Sequence, residues 1–423
     1  MTTRNKCVVI LMALAFMSLW PTGARAANYT WNGGDSGVWQ TGGSGGWLNV
    51  TTPVAWADAN VAIFTNTTPK NITINGTVAP SSFTINSGAG DHTFSNGTLN
   101  VTGTANYNNS AGKLTFATAV TQTAATYFRN GAYALDASGS LGGAYGFTLG
   151  YGASTATMIQ SGNVTITTLT LGNGGSANAT WTASGGILSA SADVRIANPN
   201  TGQIITGVLD VNGATVNAPA IYISYATIGT ATATLKLRSG AIAANSIYRH
   251  YSTATSIFEL SGGTLKPYNN TATYGSATAA NNNDITLTGS DGTISSTDKD
   301  GTARTVNIYS AIGDGGNKYG LTFAGSSGTN NLRGANTYSG ATTVTGGTLA
   351  LITSNALSHA TDLKVASGAA LNISTGVTNT VRTLTVAGVL KAAKTYDKNN
   401  LAVITGNGAL IVLQPNGTMV RFF

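Results

Sequence analysis

The feature that most constrains this chain is a recurrence of short apolar–variable–apolar triplets, set between glycines, at steps of 20–28 residues. In the middle of the chain the segments GNVTI, GGILSA, GATVNA, GAIAAN and GGTLKP begin at Gly162, Gly185, Gly213, Gly240 and Gly262. A second set keeps step with them: Phe147-Thr148-Leu149, Leu169-Thr170-Leu171, Val194-Arg195-Ile196, Ile221-Tyr222-Ile223 and Ile247-Tyr248-Arg249. Alternation at period two marks a strand with one buried face. Glycine between such strands lets the backbone turn a corner. The last triplet breaks the pattern at Arg249, where a ladder is expected to end or bend. The rhythm continues toward both ends. Asn75-Gly-Thr-Val78 and Asn96-Gly-Thr-Leu99 lie 21 residues apart, and repeats starting at Val344, Val365, Val386 and Ile404 follow about every 20.

A propeller blade needs about 40 residues or more, and a sandwich has no such internal similarity. Stacked coils of a solenoid fit the period. The sequence therefore predicts an all-β, right-handed parallel β-helix with an N-terminal cap. At roughly 25 residues per turn and ~4.8 Å per coil, residues 27–423 would give about 16 coils and a rod of about 75 Å. The expected division is a signal peptide over residues 1–26, a Trp/Gly-rich cap over 27–60 and coils over 61–266. Irregular coils with longer loops follow over 267–340, and C-terminal repeats over 341–423. In the cap, Trp31, Trp39, Trp47 and Trp56 sit among glycines. A solenoid needs its open end covered, so these rings are expected to be structural, the sharper alternative being a carbohydrate-stacking platform.

Composition agrees. Only 8% of residues are charged while 42% are hydrophobic, so the chain buries a core instead of remaining disordered. The formal charge of +7 falls to +4 without Arg4, Lys6 and Arg25 of the leader. The remaining cations are scattered singly, which argues against nucleic acid as a partner. Arg4 and Lys6, an apolar run over residues 8–20 and Ala24-Arg25-Ala26 form the three parts of a secretory signal peptide. The only cysteine, Cys7, lies inside it, so the mature chain is expected to use neither disulfides nor thiol chemistry. A secreted or surface location follows, with no membrane span in the mature chain.

The residues Gly334-Ala-Asn-Thr-Tyr-Ser-Gly-Ala-Thr-Thr-Val-Thr-Gly-Gly-Thr-Leu349 closely resemble the autotransporter-associated β-strand repeat, whose typical form is G-x-N-T-Y-S-G-x-T-T-I/V-x-x-G-T-L. The match covers one clear copy. The later repeats and the WNGG opening at Trp31 are similar in style to large secreted proteins carrying it. The resemblance implies a bacterial, exported, passenger-like β-helix, and implies no catalytic residues, because the repeat is defined by fold-forming positions. No run of alternating membrane strands follows Leu413, and residues 416–423 show no sorting tail, so the expectation is simple secretion or a separate surface partner.

The inventory for chemistry is thin. Glu259 is the only glutamate, and His92, His250 and His359 lie in separate regions and are expected to be surface or capping residues. Leu209-Asp210-Val211, Leu235-Lys236-Leu237 and Phe258-Glu259-Leu260 each place one charge between inward apolar residues. Asp210, Lys236 and Glu259 are therefore expected to stack on the outer face of adjacent coils as a structural charge ladder. Read as a carboxylate pair, Asp210 and Glu259 would stand two coils apart, ~9.6 Å, at or beyond the upper end for an inverting glycosidase. Arg195, Tyr222 and Tyr248 form a parallel outward stripe, a candidate glycan contact with cross-strand stacking as the plainer role. Asp298-Lys-Asp300-Gly301 opens like a calcium loop but lacks the closing acid, so no metal is expected. Nor is a cofactor. The function expected is a structural or adhesive surface β-helix without catalysis. The alternatives are a glycan-binding module on extracellular polysaccharide or cell-surface components and, behind it, a β-helical polysaccharide-degrading enzyme.

Overall fold

The computed structural model describes residues 26–413, except 34–35, 66, 69, 87, 200–201, 226–228, 251–253, 279–280 and 290–291. The signal peptide expected over residues 1–26, apart from Ala26, and residues 414–423 lie outside the described residues. Among those described there is no helix. The chain is a parallel β-solenoid of about 14 turns, on the order of 65 Å long.

Most coils contribute to three parallel ladders, the second of which ends at Ile312. The first runs through Phe147, Leu169, Val194, Ile221, Ile247 and Tyr274. The second runs through Met158, Trp181, Leu209, Leu235, Phe258 and Ile285. The third is an unbroken row: Val78, Leu99, Val120, Leu141, Val164, Leu188, Val216, Ile242, Leu265, Ile294, Phe323, Val344, Val365 and Val386. All but Val386 of that row are buried, so each coil sets one apolar side chain on the next. The triplets and the glycine-led segments of the sequence thus occupy two different faces of one solenoid.

Arg249 does not end the first ladder. The strand Thr230–Tyr248 stops there, but Ile247 pairs onward with Tyr274, so the alternation fails at a corner and not at a break in stacking. Fewer coils form than the expected 16, for two reasons. Third-ladder steps lengthen from 21 residues between Val78 and Leu141 to 29 between Leu265, Ile294 and Phe323, and return to 21 from Phe323 to Val386. In addition, the segment from Val386 to Leu390 is not a further coil. Ala387 and Gly388 both take positive φ (48° and 81°), and Val389 pairs back antiparallel on Val386. Two such residues between short strands make the primed turn that matches strand twist. Ile404 then joins the first ladder beside Leu371, not the column of Val386.

The motif that carried the family resemblance is explained by what its polar residues hold. Asn336 is buried; its Oδ1 accepts the Ile312 N–H (2.8 Å) and its Nδ2 donates to the Ala356 carbonyl (2.6 Å), stitching three successive coils. The Tyr338 hydroxyl meets Thr342 Oγ1 at 2.7 Å, and Thr342 meets Thr361 at 3.0 Å, all inside the solenoid. A buried polar group persists only where it is paired, so these positions serve the fold.

The four tryptophans near the start are buried, with exposures of 0–2%. Trp39 lies 5.0 Å from both Trp47 and Trp56, ring centre to centre, and Trp47 lies 4.6 Å from Trp56. Phe64 and Phe83 continue the stack below Trp39. Here the chain departs from parallel coiling: Ser44–Asn49 pairs antiparallel with both Asn28–Trp31 and Thr52–Ala55. Rings enclosed in this way offer no face to a sugar, and the carbohydrate-platform alternative for them is withdrawn.

His92 also differs from expectation. It is wholly buried, its Nδ1 2.8 Å from the Gly90 carbonyl, so it is a core residue and not a surface one. Desolvation, with the nearby Lys70 charge assisting, lowers its pKa from the usual 6.5. His250 is lowered too, by desolvation and then by Arg195. For both, the unfolded chain takes up a proton that the fold resists, so stability is full above the ordinary histidine range and declines as pH falls through 6.5. Asp298, Asp314 and Asp362 work at lower pH. Their folded pKa values lie below the ordinary carboxylate range, because hydrogen bonds to Asp298 and Asp314 outweigh burial and the Arg382 guanidinium holds Asp362. Their contribution is present above that range and lost as pH falls through it. A series of urea midpoints from pH 8 to pH 3 is expected to show a first decline near pH 6.5 and a second in the carboxylate range. His92→Gln with His250→Gln should remove only the first; a first decline that survives both substitutions would contradict this assignment.

Candidate functional site

The outward row of the first ladder brings Arg195, Tyr222 and Tyr248 into register on three successive coils. Asp193 holds Arg195 through two bonds of 2.9 Å, to Nε and Nη2. The guanidinium lies over the Tyr225 ring, 4.3 Å from its centre. Tyr222 meets Tyr225 edge-on at 5.0 Å and Tyr248 at 5.2 Å, and His250 stacks on Tyr225 at 4.9 Å. Desolvation, then the hydroxyl of Tyr248, pushes the Tyr222 phenol up to about 12, so Tyr222 works as a neutral ring with a polar tip. The sequence pattern singled out three members of this cluster and missed Asp193, Tyr225 and His250. Tyr225 follows Ser224, whose φ of 67° swings the chain round the corner, beyond the reach of any period-two rule.

A smaller copy of the arrangement lies in the same row three coils before Arg195, at Tyr127. Its ring sits 4.7 Å from that of Tyr151, and Arg129 lies over Tyr151 at 4.9 Å. Thr148 and Thr170 occupy the row between the two clusters.

On the second ladder Asp210, Lys236 and Glu259 are in direct register, on the face between buried Leu209, Leu235 and Phe258 and buried Val211, Leu237 and Leu260. Lys236 reaches Glu259 at 3.3 Å. Asp210 is taken by Arg238, at 2.9 and 3.1 Å, and not by Lys236. Arg238 stands two residues along the neighbouring strand, so the pair is diagonal. Half-exposed ion pairs of this kind contribute about 0–1 kcal/mol each. Asp298 accepts N–H bonds from Asp300 and Thr302 and the Arg304 guanidinium at 2.8 Å, which commits its oxygens to the turn. Among the described residues no group of three or more His, Cys, Asp or Glu could hold a metal ion, and no helix is long and apolar enough to cross a membrane.

A cavity of about 450 Å³ opens where the first ladder turns into the second, lined by Arg249, Ser256, Ile257, Phe258 and residues 282–284 with Thr286. Hydrogen bonds tie several of its lining residues to neighbouring backbone. Arg249 Nη1 donates to the Ala254 carbonyl (3.4 Å) and Ser256 Oγ to that of Ile223 (3.1 Å). Asn282 accepts from the Ser276 N–H and donates to the Tyr309 carbonyl. Asn283 is 5% exposed, and neither Oδ1 nor Nδ2 has a hydrogen-bond partner among the described residues. A buried polar group left unpaired costs about 1–3 kcal/mol.

No family model, curated protein or solved structure matches this chain.

Proposed function

We propose that this chain is exported by its N-terminal leader and serves outside the cell as a structural or adhesive β-solenoid, without catalysis of its own. The observation that carries the reading is how the charged side chains along the rod are used. Asp193, Asp210, Glu259, Asp298 and Asp362 are each joined to a neighbouring cation. The rows between them are largely Thr, Asn and Ser, as in Thr157–Thr180 and Asn307–Asn331. Such a surface suits a load-bearing or contact-forming rod better than it suits acid–base chemistry. We read the antiparallel Trp31/Trp39/Trp47/Trp56 segment as the cap that shields the first coil from edge-to-edge pairing. The single repeat at residues 334–349 supports a passenger-like, surface-exposed role.

A second reading, retention of a glycan, is favoured by one feature: the Tyr222, Tyr225, Tyr248 and His250 rings beside Arg195. Cell fractionation with mass spectrometry of the N-terminus tests the main reading. The expected product begins at Ala27, is found in the envelope or medium, and is degraded by protease added to intact cells. An intact N-terminus with all of the chain in the cytosol would overturn it.

A further inference from the structure

We propose that the cavity framed by Arg249, Ile257, Asn283 and Asp284 binds one neutral sugar unit of a glycan chain. The proposal deepens the glycan-retention reading and shares its premise that the partner is a saccharide. The volume, about 450 Å³, lies in the range of small-ligand clefts. The polar groups around it have the chemistry of hydroxyl recognition. A primary amide presents one donor edge and one acceptor edge, and both edges of Asn283 lack partners among the described residues. Adjacent hydroxyls, each able to donate and accept, satisfy such a pair, whereas a carboxylate or phosphate satisfies only the donor. Asp284 is exposed on the same wall and adds an acceptor for hydroxyl protons, while Arg249 adds donors. One cation facing one anion leaves the cleft without net charge, which disfavours an acidic ligand. Ile257, half-buried, gives the apolar surface on which the C–H face of a sugar ring can lie.

Position supplies the rest of the argument. Arg249 stands in sequence between Tyr248 and His250, and Ser256 is bonded to the carbonyl of Ile223, two residues before Tyr225. The cavity therefore opens at the corner that carries the tyrosine cluster. A chain with one unit in the cavity has its next units over those rings, where stacking is tolerant of sugar identity.

Calorimetric titration of the purified full chain tests this, using di- to hexasaccharides of neutral glucans, mannans and galactans against matched uronic-acid oligomers. Neutral disaccharides are expected to bind. Asp284→Asn and Asn283→Leu should each weaken that binding about tenfold or more with the denaturation midpoint retained. The double variant Tyr222→Ala/Tyr248→Ala should weaken disaccharides less than the cavity variants do and should abolish the gain with longer chains. Should Asn283→Leu lower the midpoint, Asp284→Asn, on the surface, decides. Preference for uronic-acid oligomers, or affinity unchanged in the Asp284 variant, would overturn the cavity proposal. Weakening by the tyrosine variant alone would keep the glycan reading and sink the cavity. No saccharide binding to the unmodified chain would sink both.

Discussion

Replacing Trp39 with alanine is expected to destabilise the N-terminal coils by about 3–5 kcal/mol, the range for truncating a fully buried tryptophan. The figure should fall at the upper end because of what surrounds the ring. Trp39 has no exposed surface and lies within 5–6.3 Å, centre to centre, of Trp47, Trp56, Phe64, Phe83 and Phe94. Rigid rings cannot collapse into the space as aliphatic chains would, so most of the cavity remains. The strand carrying Trp39, Ser36–Trp39, is joined to the rest through Lys70–Ile74, which places the damage at the first coil and not along the rod. Urea unfolding followed by near-UV circular dichroism checks this. The aromatic signal should be lost at lower urea than the far-UV β signal, which in the unmodified chain should change together with it. A loss below 1 kcal/mol would show that these rings do not form a packed end.

The fold was legible because repetition multiplies a weak signal. One triplet such as Val194-Arg195-Ile196 says little, but five of them in step with five glycine-led segments fix two faces of a coil. The register that aligns Asp210, Lys236 and Glu259 could be read for the same reason: Leu209, Leu235 and Phe258 mark it on each coil. What escaped was everything set by corners. Arg238 reaches Asp210 diagonally, so straight columns do not reveal it. The primed turn at Ala387 and Gly388 looks in sequence like one more Gly-containing repeat, because the same residue that turns a corner can reverse a strand. The cavity draws on residues 249, 256–258, 282–284 and 286, which come together only once the coils from Leu235 to Ile285 are given their unequal lengths. His92 escaped because a histidine inside a repeat is indistinguishable from one outside until the parity of its strand is known; the strand His92–Val101 turns it inward beside Phe94.

The same dependence on stacking makes glycine at a coil corner the most sensitive single position, and Gly240→Val is expected to divide the rod. Gly240 lies inside the strand Thr230–Tyr248 at φ 79°, a conformation that a β-branched residue rarely adopts. A Cβ there would stand 2.1 Å from the Ala214 carbonyl oxygen and 2.9 Å from the carbonyl carbon of Gly213, both backbone atoms of the coil below. Neither can move without parting Thr215 from Ala241 and Val216 from Ile242, the pairs that continue the third ladder. Strain of φ and loss of this contact together should exceed about 4 kcal/mol, beyond the usual effect of a point substitution. In a solenoid, coupling passes only between neighbours, so the loss should appear as broken cooperativity and not as uniform weakening. The tryptophans among the described residues all precede residue 182 and report only the N-terminal side. Tryptophan fluorescence of Gly240→Val should therefore unfold close to the unmodified midpoint, while the far-UV signal splits into two transitions, the earlier one from coils after Gly240. Gly240→Ala, which keeps the φ strain and the close Cβ but adds no branch, should lie between. A single transition shared by both probes would mean that coupling extends past nearest neighbours, and that the rod unfolds as one body.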